Sequence, residues 1–177
     1  MNKTSRAIFL DRDGTINVDD DSISNIDNWV FCDKAPEALK MLQDAGYKLI
    51  VITNQGGIDA GKYTLEDMQR VHAHMHAELA KSGVKLDAVA YCPHIDECEC
   101  RKPKAGMLDQ VRDLIADVDM SQSWMIGDKE ADVGFGKKAK VQTALIPSRY
   151  WDKERLLIEP DLYVDSLYEF AQQITSK

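Results

Sequence analysis

Short apolar runs recur along this chain, and several close on a polar residue whose side chain can do chemistry. Ala7 to Leu10 ends at Asp11, Tyr47 to Ile52 at Thr53, Leu86 to Tyr91 at Cys92, and Ser123 to Ile126 at Gly127-Asp128. Such runs suit strands buried on both faces of a sheet. Amphipathic stretches of helical length separate them. Pro36 opens one, where its missing N–H costs nothing; Leu39, Met41 and Leu42 line it, and Gly46 stops it. Thr64 caps a longer one that reaches Lys81 and ends at Ser82-Gly83. Helices are also expected over 106–116, 130–139 and 167–174, a fifth strand over 141–146, a last strand over 162–164, and a weak strand around Trp29 to Phe31. Strand–helix alternation predicts an α/β protein, a parallel sheet with helices on both faces. With no repeat, low-complexity segment or linker, residues 1–177 read as one domain. Ligands of such sheets sit beyond the carboxyl ends of the strands, the edge where Asp11, Thr53, Cys92 and Asp128 fall.

Charge narrows the ligand class. Lys plus Arg number 22 and Asp plus Glu 30, a formal net charge of −8. Nucleic acid demands a basic face and is not expected as a partner. A phosphorylated ligand must then be a small metabolite, held by local cations or a metal. No apolar stretch approaches the roughly 20 residues of a membrane span. Ala7 to Leu10 is too short for a signal-peptide core. A cytoplasmic monomer that does not engage a membrane is the expected form.

Four motifs lie at the strand ends. In Asp11-Arg12-Asp13-Gly14-Thr15, two carboxylates two residues apart can point the same way, suiting a hard cation such as Mg²⁺ or a nucleophile with its acid; a plain Asp-Gly turn is the other reading. Thr53-Asn54-Gln55-Gly56-Gly57 offers a hydroxyl and backbone N–H groups to phosphate oxygens, or is simply a polar loop. Arg101-Lys102-Pro103-Lys104 is a local excess of cations that can neutralise a phosphoryl group in flight. Gly127-Asp128-Lys129-Glu130-Ala131-Asp132 adds two carboxylates, although Asp132 could equally stabilise a helix start.

A fifth signal is Cys92-x-His94-x3-Cys98-x-Cys100. Three thiols and one imidazole are the donor set of a closed structural Zn²⁺ site, in a loop at about 92–100. The remaining Cys32 reads as a buried or half-buried thiol, and His72, His74 and His76 as helix residues that do not converge on a metal. Tyr150 and Trp151 read as loop aromatics covering apolar surface, and Asp19-Asp20-Asp21 as a solvated turn.

Taken together, the four strand-end motifs resemble the haloacid dehalogenase-like phosphatase superfamily in order, spacing and placement over most of the chain. Within it the chain resembles the heptose 1,7-bisphosphate 7-phosphatase branch. The strings that carry this are Phe9 to Asp19, Ile26-Asp27-Asn28, Thr53-Asn54-Gln55, Cys92-Pro93-His94, Cys100-Arg101-Lys102-Pro103, Gly106-Met107-Leu108 and Gly127-Asp128-Lys129. Histidinol-phosphate phosphatases share many of them. The resemblance implies a Rossmann-like sheet, with no insertion long enough for a large cap domain. It implies Asp11 as nucleophile and Asp13 as acid and base. Mg²⁺ would lie on Asp11, the Asp13 carbonyl and Asp128. Thr53 and Lys102 would meet the phosphoryl oxygens, and Asp132 would orient the lysine or a water. Asp19, Asn54, Gln55, Arg101 and Lys129 would touch the rest of the substrate. The same branch carries a zinc loop of this ligand order, whose job would be structural.

The match departs where substrates are chosen. Asp20-Asp21-Ser22 replaces a His-Gly-Tyr-like lip, Ala60 stands where an arginine is usual, and only three residues separate His94 from Cys98. The resemblance nonetheless implies removal of the 7-phosphate of D-glycero-D-manno-heptose 1,7-bisphosphate. Histidinol phosphate or another small ester, phosphoryl transfer to an alcohol, and a non-catalytic phosphate-binding regulator remain as alternatives.

Overall fold

A computed structural model describes residues 4–19 and 25–176. The Asp20 to Ser22 stretch thus lies outside the described residues. Among those described, six strands form one parallel sheet: β1 (Arg6–Leu10), β2 (Tyr47–Asn54), β3 (Ala88–Cys92), β4 (Trp124–Gly127), β5 (Gln142–Leu145) and β6 (Leu162–Tyr163). Their order is β3-β2-β1-β4-β5-β6, and every pairing is parallel. The α-helices are α1 (Ala35–Asp44), α2 (Leu65–Lys81), α3 (Glu130–Ala139) and α4 (Leu167–Thr175).

The apolar runs divide as a two-faced sheet requires. In β1, Ile8 and Leu10 join a core with Leu39 and Leu42 of α1, Leu79 of α2 and Phe170 of α4. Their neighbours Ala7 and Phe9 point the other way, into a core with Phe135 of α3, Met107 and Val111. Both faces are covered, as expected from the strand–helix alternation. The strand order reverses at β1, which lies between β2 and β4. A sheet opens a crevice at that reversal, outside the strand ends. Leu10 pairs with both Val51 and Ile126, so the residues following β1 and β4 emerge side by side.

The helix starts follow local chemistry. Thr64 accepts from the Asp67 N–H at 3.1 Å, and Asp67 accepts from the Thr64 N–H at 2.8 Å, a reciprocal cap on α2. Gly46, at φ +85°, supplies the left-handed turn from α1 into β2.

Three expectations change. The helix expected over 106–116 is a 3-10 turn at Gly106–Val111 followed by further turns. Gly106 and Asp109 are poor helix formers. The turn also lets Gln110 pair with both backbone groups of Tyr91, at 2.8 and 3.1 Å, closing the free edge of β3. The weak strand around Trp29 to Phe31 is one isolated bridge, Asn17 to Phe31. Thr53 and Asn54, expected in a loop, still belong to β2 and pair with Tyr91 and Cys92.

His72 faces inward from α2, edge-on to Tyr91 with ring centres 6.3 Å apart. Its Nε2 has no hydrogen-bond partner among the described residues. Burial, then the nearby Arg12 charge, pushes its pKa down to about 3. Between the ordinary imidazole value and that one, the unfolded chain binds a proton that the folded chain refuses. Stability therefore falls as pH falls through this window. At pH 5 the imidazole accounts for about 2 kcal/mol of that loss. In urea melts at pH 7.5 and pH 5, His72→Phe is expected to lose about 2 kcal/mol less than the parent on acidification.

Candidate active site

Asp11 follows β1 directly, and its N–H donates to the Ile126 carbonyl at 3.0 Å, anchoring it across the reversal. Asp128 follows β4, and Asp132 lies in the first turn of α3. One carboxylate oxygen from each of the three falls within 4.8 Å of the others. All three residues are buried.

Lys102 reaches into this cluster from the loop after Cys100. Its Nζ stands 2.9 Å from Asp11 Oδ1 and 2.6 Å from Asp132 Oδ1, and donates to the Ile52 carbonyl at 2.7 Å. The ammonium is thus fully engaged. Burial alone would lower its pKa, but Asp11 and Asp132 outweigh it and raise the value. Asp11 is pushed up to about 7, chiefly by burial, with Lys102 opposing and the two other carboxylates adding to the rise. Asp128 is pushed up to about 6 by burial, against the Lys129 charge. The carboxyl oxygens of Asp132 divide their work. One meets Lys102, and the other accepts the Lys129 N–H at 2.9 Å at the start of α3. Asp132 thus both meets Lys102 and caps the start of α3.

Asp13 has a separate environment. Arg12, 1 % exposed, grips it with a forked guanidinium at 2.9–3.1 Å. Asn17 and Gln55 each donate to it at 3.0 Å. Gln55 also donates to Thr53 Oγ1 at 2.8 Å, while its own carbonyl accepts from the Tyr63 hydroxyl at 2.8 Å. That hydroxyl decides which way the amide faces. Lys129 pairs with Asp19 at 2.9 Å, stands 3.6 Å from Asp128 Oδ1 and lies 4.4 Å from the centre of the Tyr150 ring.

A cavity of about 280 Å³ opens above these groups, lined among others by Arg12, Asp19, Gln55, Lys62, Tyr63 and Tyr150. A recess of about 50 Å³ is lined by Asp11, Lys102, Ala131 and Asp132. Asp13, Asn54 and Lys129 line both, so the recess is the floor of the cavity. A small anion entering it meets the Lys102 ammonium and the Asp11 carboxylate together.

The donor set fits a hard cation. Asp11, Asp128 and Asp132 face two ammonium groups, which leaves negative charge in excess. Asp128 Oδ1 is buried and accepts no hydrogen bond among the described residues. The Cys/His loop presents a softer set. Cys92 Sγ lies 3.5 Å from Cys98 Sγ and 2.9 Å from Cys100 Sγ. His94 Nδ1 lies 3.4 Å from Cys100 Sγ, and all four donor atoms fall within 4.8 Å of one another. Three sulfurs and a nitrogen converging this way fit a tetrahedral ion.

Most sequence-derived residues line these two spaces; Thr53 and Asp128 line neither but join the site through Gln55 and the carboxylate cluster. Arg101 lines neither space and donates to the His94 carbonyl at 2.9 Å, bracing the Cys/His loop. Tyr150, read as a cover for apolar surface, lines the cavity over Lys129. Trp151 does pack as expected, on Tyr163. Sequence reasoning passed over Arg12, Asn17, Tyr63 and Ser148, whose hydroxyl donates to Asp128 Oδ2 at 3.0 Å. Only Arg12 carried a signal, a cation between two motif carboxylates.

Comparison with known proteins follows the same lines. Residues 6–150 match the family model described as polynucleotide kinase 3 phosphatase. The D-glycero-beta-D-manno-heptose-1,7-bisphosphate 7-phosphatase of Haemophilus ducreyi is 42% identical over 151 residues, covering 80% of this chain and 82% of the relative. The D-glycero-alpha-D-manno-heptose-1,7-bisphosphate 7-phosphatase of Campylobacter jejuni is 40% identical over 142 residues, again 80% and 82%. Among solved structures, a D,D-heptose 1,7-bisphosphate phosphatase from B. bronchiseptica, complexed with magnesium and phosphate, superposes with a TM-score of 0.85. It is 29% identical, over 97% of this chain and 98% of that one.

Gly14 shows how closely the site is built. It sits at φ +83°, and a Cβ there would overlap the Asp128 carboxylate. Gly14→Ala is expected to cost at least about 1–2 kcal/mol from the backbone alone and to push Asp128 out of the cluster. Urea denaturation and phosphate release should fall together.

Proposed function

The chain belongs to the haloacid dehalogenase-like phosphatases, and from that premise we propose that it removes the 7-phosphate of D-glycero-D-manno-heptose 1,7-bisphosphate. The observation that carries the chemistry is the buried Lys102 ammonium touching Asp11 at the floor of the cavity. The relatives' names support the heptose.

The residues then take these roles. A carboxylate oxygen of Asp11 attacks phosphorus and forms an aspartyl-phosphate. As the bond to the sugar oxygen breaks, Asp13 gives that oxygen a proton. Water next attacks the phosphorus as its bond to Asp11 breaks; Asp13 takes the water's proton, the Asp11 carboxylate is restored and inorganic phosphate leaves. Lys102 and the Thr53 hydroxyl hold the phosphoryl oxygens, and Asp132 keeps the lysine in place. Gln55 and Arg12 orient Asp13. Asp19, Lys129 and Tyr150 face the rest of the sugar phosphate across the cavity. Asp11, Asp128 and the Asp13 carbonyl would hold Mg²⁺, which offsets the charge gathered as phosphate meets Asp11.

Cys92, His94, Cys98 and Cys100 hold Zn²⁺ in a structural role, since four protein donors leave no open position. The enzyme works as a single-domain cytoplasmic monomer on a small metabolite, without nucleic-acid or membrane partners. No helix among the described residues is long and apolar enough to cross a membrane.

Phosphate release with Mg²⁺ tests the substrate. At least one anomer of the heptose bisphosphate is expected to exceed histidinol phosphate and hexose phosphates in kcat/KM by at least about 100-fold. Preference for histidinol phosphate would keep the chemistry and discard the heptose. Metal analysis is expected to find one zinc per chain. Stripping it with a chelator should lower both Tm and turnover, because the loop that presents Lys102 loosens. Protein without zinc and with unchanged turnover would discard the zinc site.

A further inference from the structure

Asn54 ends β2 and was expected to touch substrate. Its side chain is already committed. Oδ1 accepts the Lys102 N–H at 2.9 Å, and Nδ2 donates to the Lys102 carbonyl at 3.1 Å. One side-chain amide thus pairs with both backbone groups of a single residue, as a neighbouring strand would. Only one of its N–H bonds remains for anything else.

The residue held this way is the one whose far end carries the site. A lysine side chain is long and flexible, and its three donors must meet Asp11, Asp132 and the Ile52 carbonyl at once. That is possible only where the backbone is fixed as well. The loop bearing Lys102 follows Cys100 without a strand of its own, so its register against β2 rests on bonds of this kind. Asn54 adjoins Thr53, whose strand carries Ile52, the third partner of the ammonium. Both ends of Lys102 are therefore tied to β2, the ammonium to Ile52 and the backbone to Asn54.

We propose that Asn54 is a positioning residue, which holds the Lys102 backbone so that its ammonium stays on Asp11. It thereby joins the end of β2 to the Cys/His loop. This rests on the catalytic reading of Lys102 and Asp11. Direct contact between Asn54 and the sugar would affect some esters and spare others. Positioning of Lys102 affects every ester alike, because the phosphoryl group is common to all.

The test compares the parent with Asn54→Ala, and with Asn54→Asp, which can still accept the Lys102 N–H but opposes its carbonyl. Steady-state kinetics are measured on the heptose bisphosphate and on p-nitrophenyl phosphate, together with inhibition by inorganic phosphate and Tm. Both variants are expected to lose about 5- to 100-fold in kcat/KM, by the same factor on both esters, Asn54→Ala through the loss of two hydrogen bonds and Asn54→Asp through the loss of one and the repulsion that replaces it. Inhibition by inorganic phosphate should weaken in parallel. In a Lys102→Met background, Asn54→Ala should change kcat/KM less than about twofold, since coupled residues do not add. If Lys102→Met does not fold, the two-ester comparison decides. A loss confined to the heptose bisphosphate would overturn the proposal in favour of substrate contact. A lower Tm with unchanged kinetics would overturn it in favour of a purely structural bond. A parent inactive on both esters would overturn the reading of the site beneath it.

Discussion

The structure depends on a buried ion cluster, the Lys102 ammonium held between Asp11 and Asp132. Burying charge is costly unless geometry and hydrogen bonding are complete, and removing one partner leaves the others uncompensated. Here the ammonium has three acceptors for three protons. Each comes from a different part of the fold: Asp11 from the end of β1, Asp132 from α3 and Ile52 from β2. Tight packing follows. A Cβ at Gly127 would overlap the Asp132 carboxylate, so only glycine fits where β4 leaves the sheet. The cluster is also short of positive charge, and both Asp11 and Asp128 have raised pKa values for that reason as well as for burial. A cation together with a phosphoryl group answers that imbalance from two sides.

The arrangement explains how a chain of net charge −8 receives an anion. Its cations are few at the site, but they are immobilised, and Arg12 and Lys102 are also shielded from water. Arg12 is locked on Asp13, Lys102 on Asp11, and Lys129 between Asp19 and the Tyr150 ring. In a site of low polarity, fixed charges act more strongly than mobile ones on the surface. The Cys/His loop bears on the same economy of motion. Cys100 immediately precedes Arg101 and Lys102, and Arg101 braces the loop through the His94 carbonyl.

Much of this was legible in the sequence, for a physical reason. Buried parallel strands must be apolar throughout, so Ala7 to Leu10 and Tyr47 to Ile52 announce both themselves and the polar residues that end them. Capping is equally local, and Thr64 marked the start of α2. What was hidden depends on contacts between distant segments. Tyr63 reaches Gln55 only after β2 and the following loop are in place, and Tyr150 meets Lys129 only across the sheet edge. The pairing of Asn54 with the Lys102 backbone shows only once the loop after Cys100 is brought alongside β2. The 106–116 segment has a helical pattern, but its bonds to the edge of β3 prevail. The departures at Ala60 and in the short Cys/His loop fall outside the lining of the cavity and its floor.

The central claim is that Asp11 carries the phosphoryl group. Rapid acid quench of the enzyme during turnover, followed by peptide mapping by mass spectrometry, addresses it directly. The account predicts a phosphoryl adduct on the peptide containing Asp11, located on that side chain and chased off by further turnover. Steady turnover with no covalent phosphate on any peptide, or with phosphate on another residue, would contradict it.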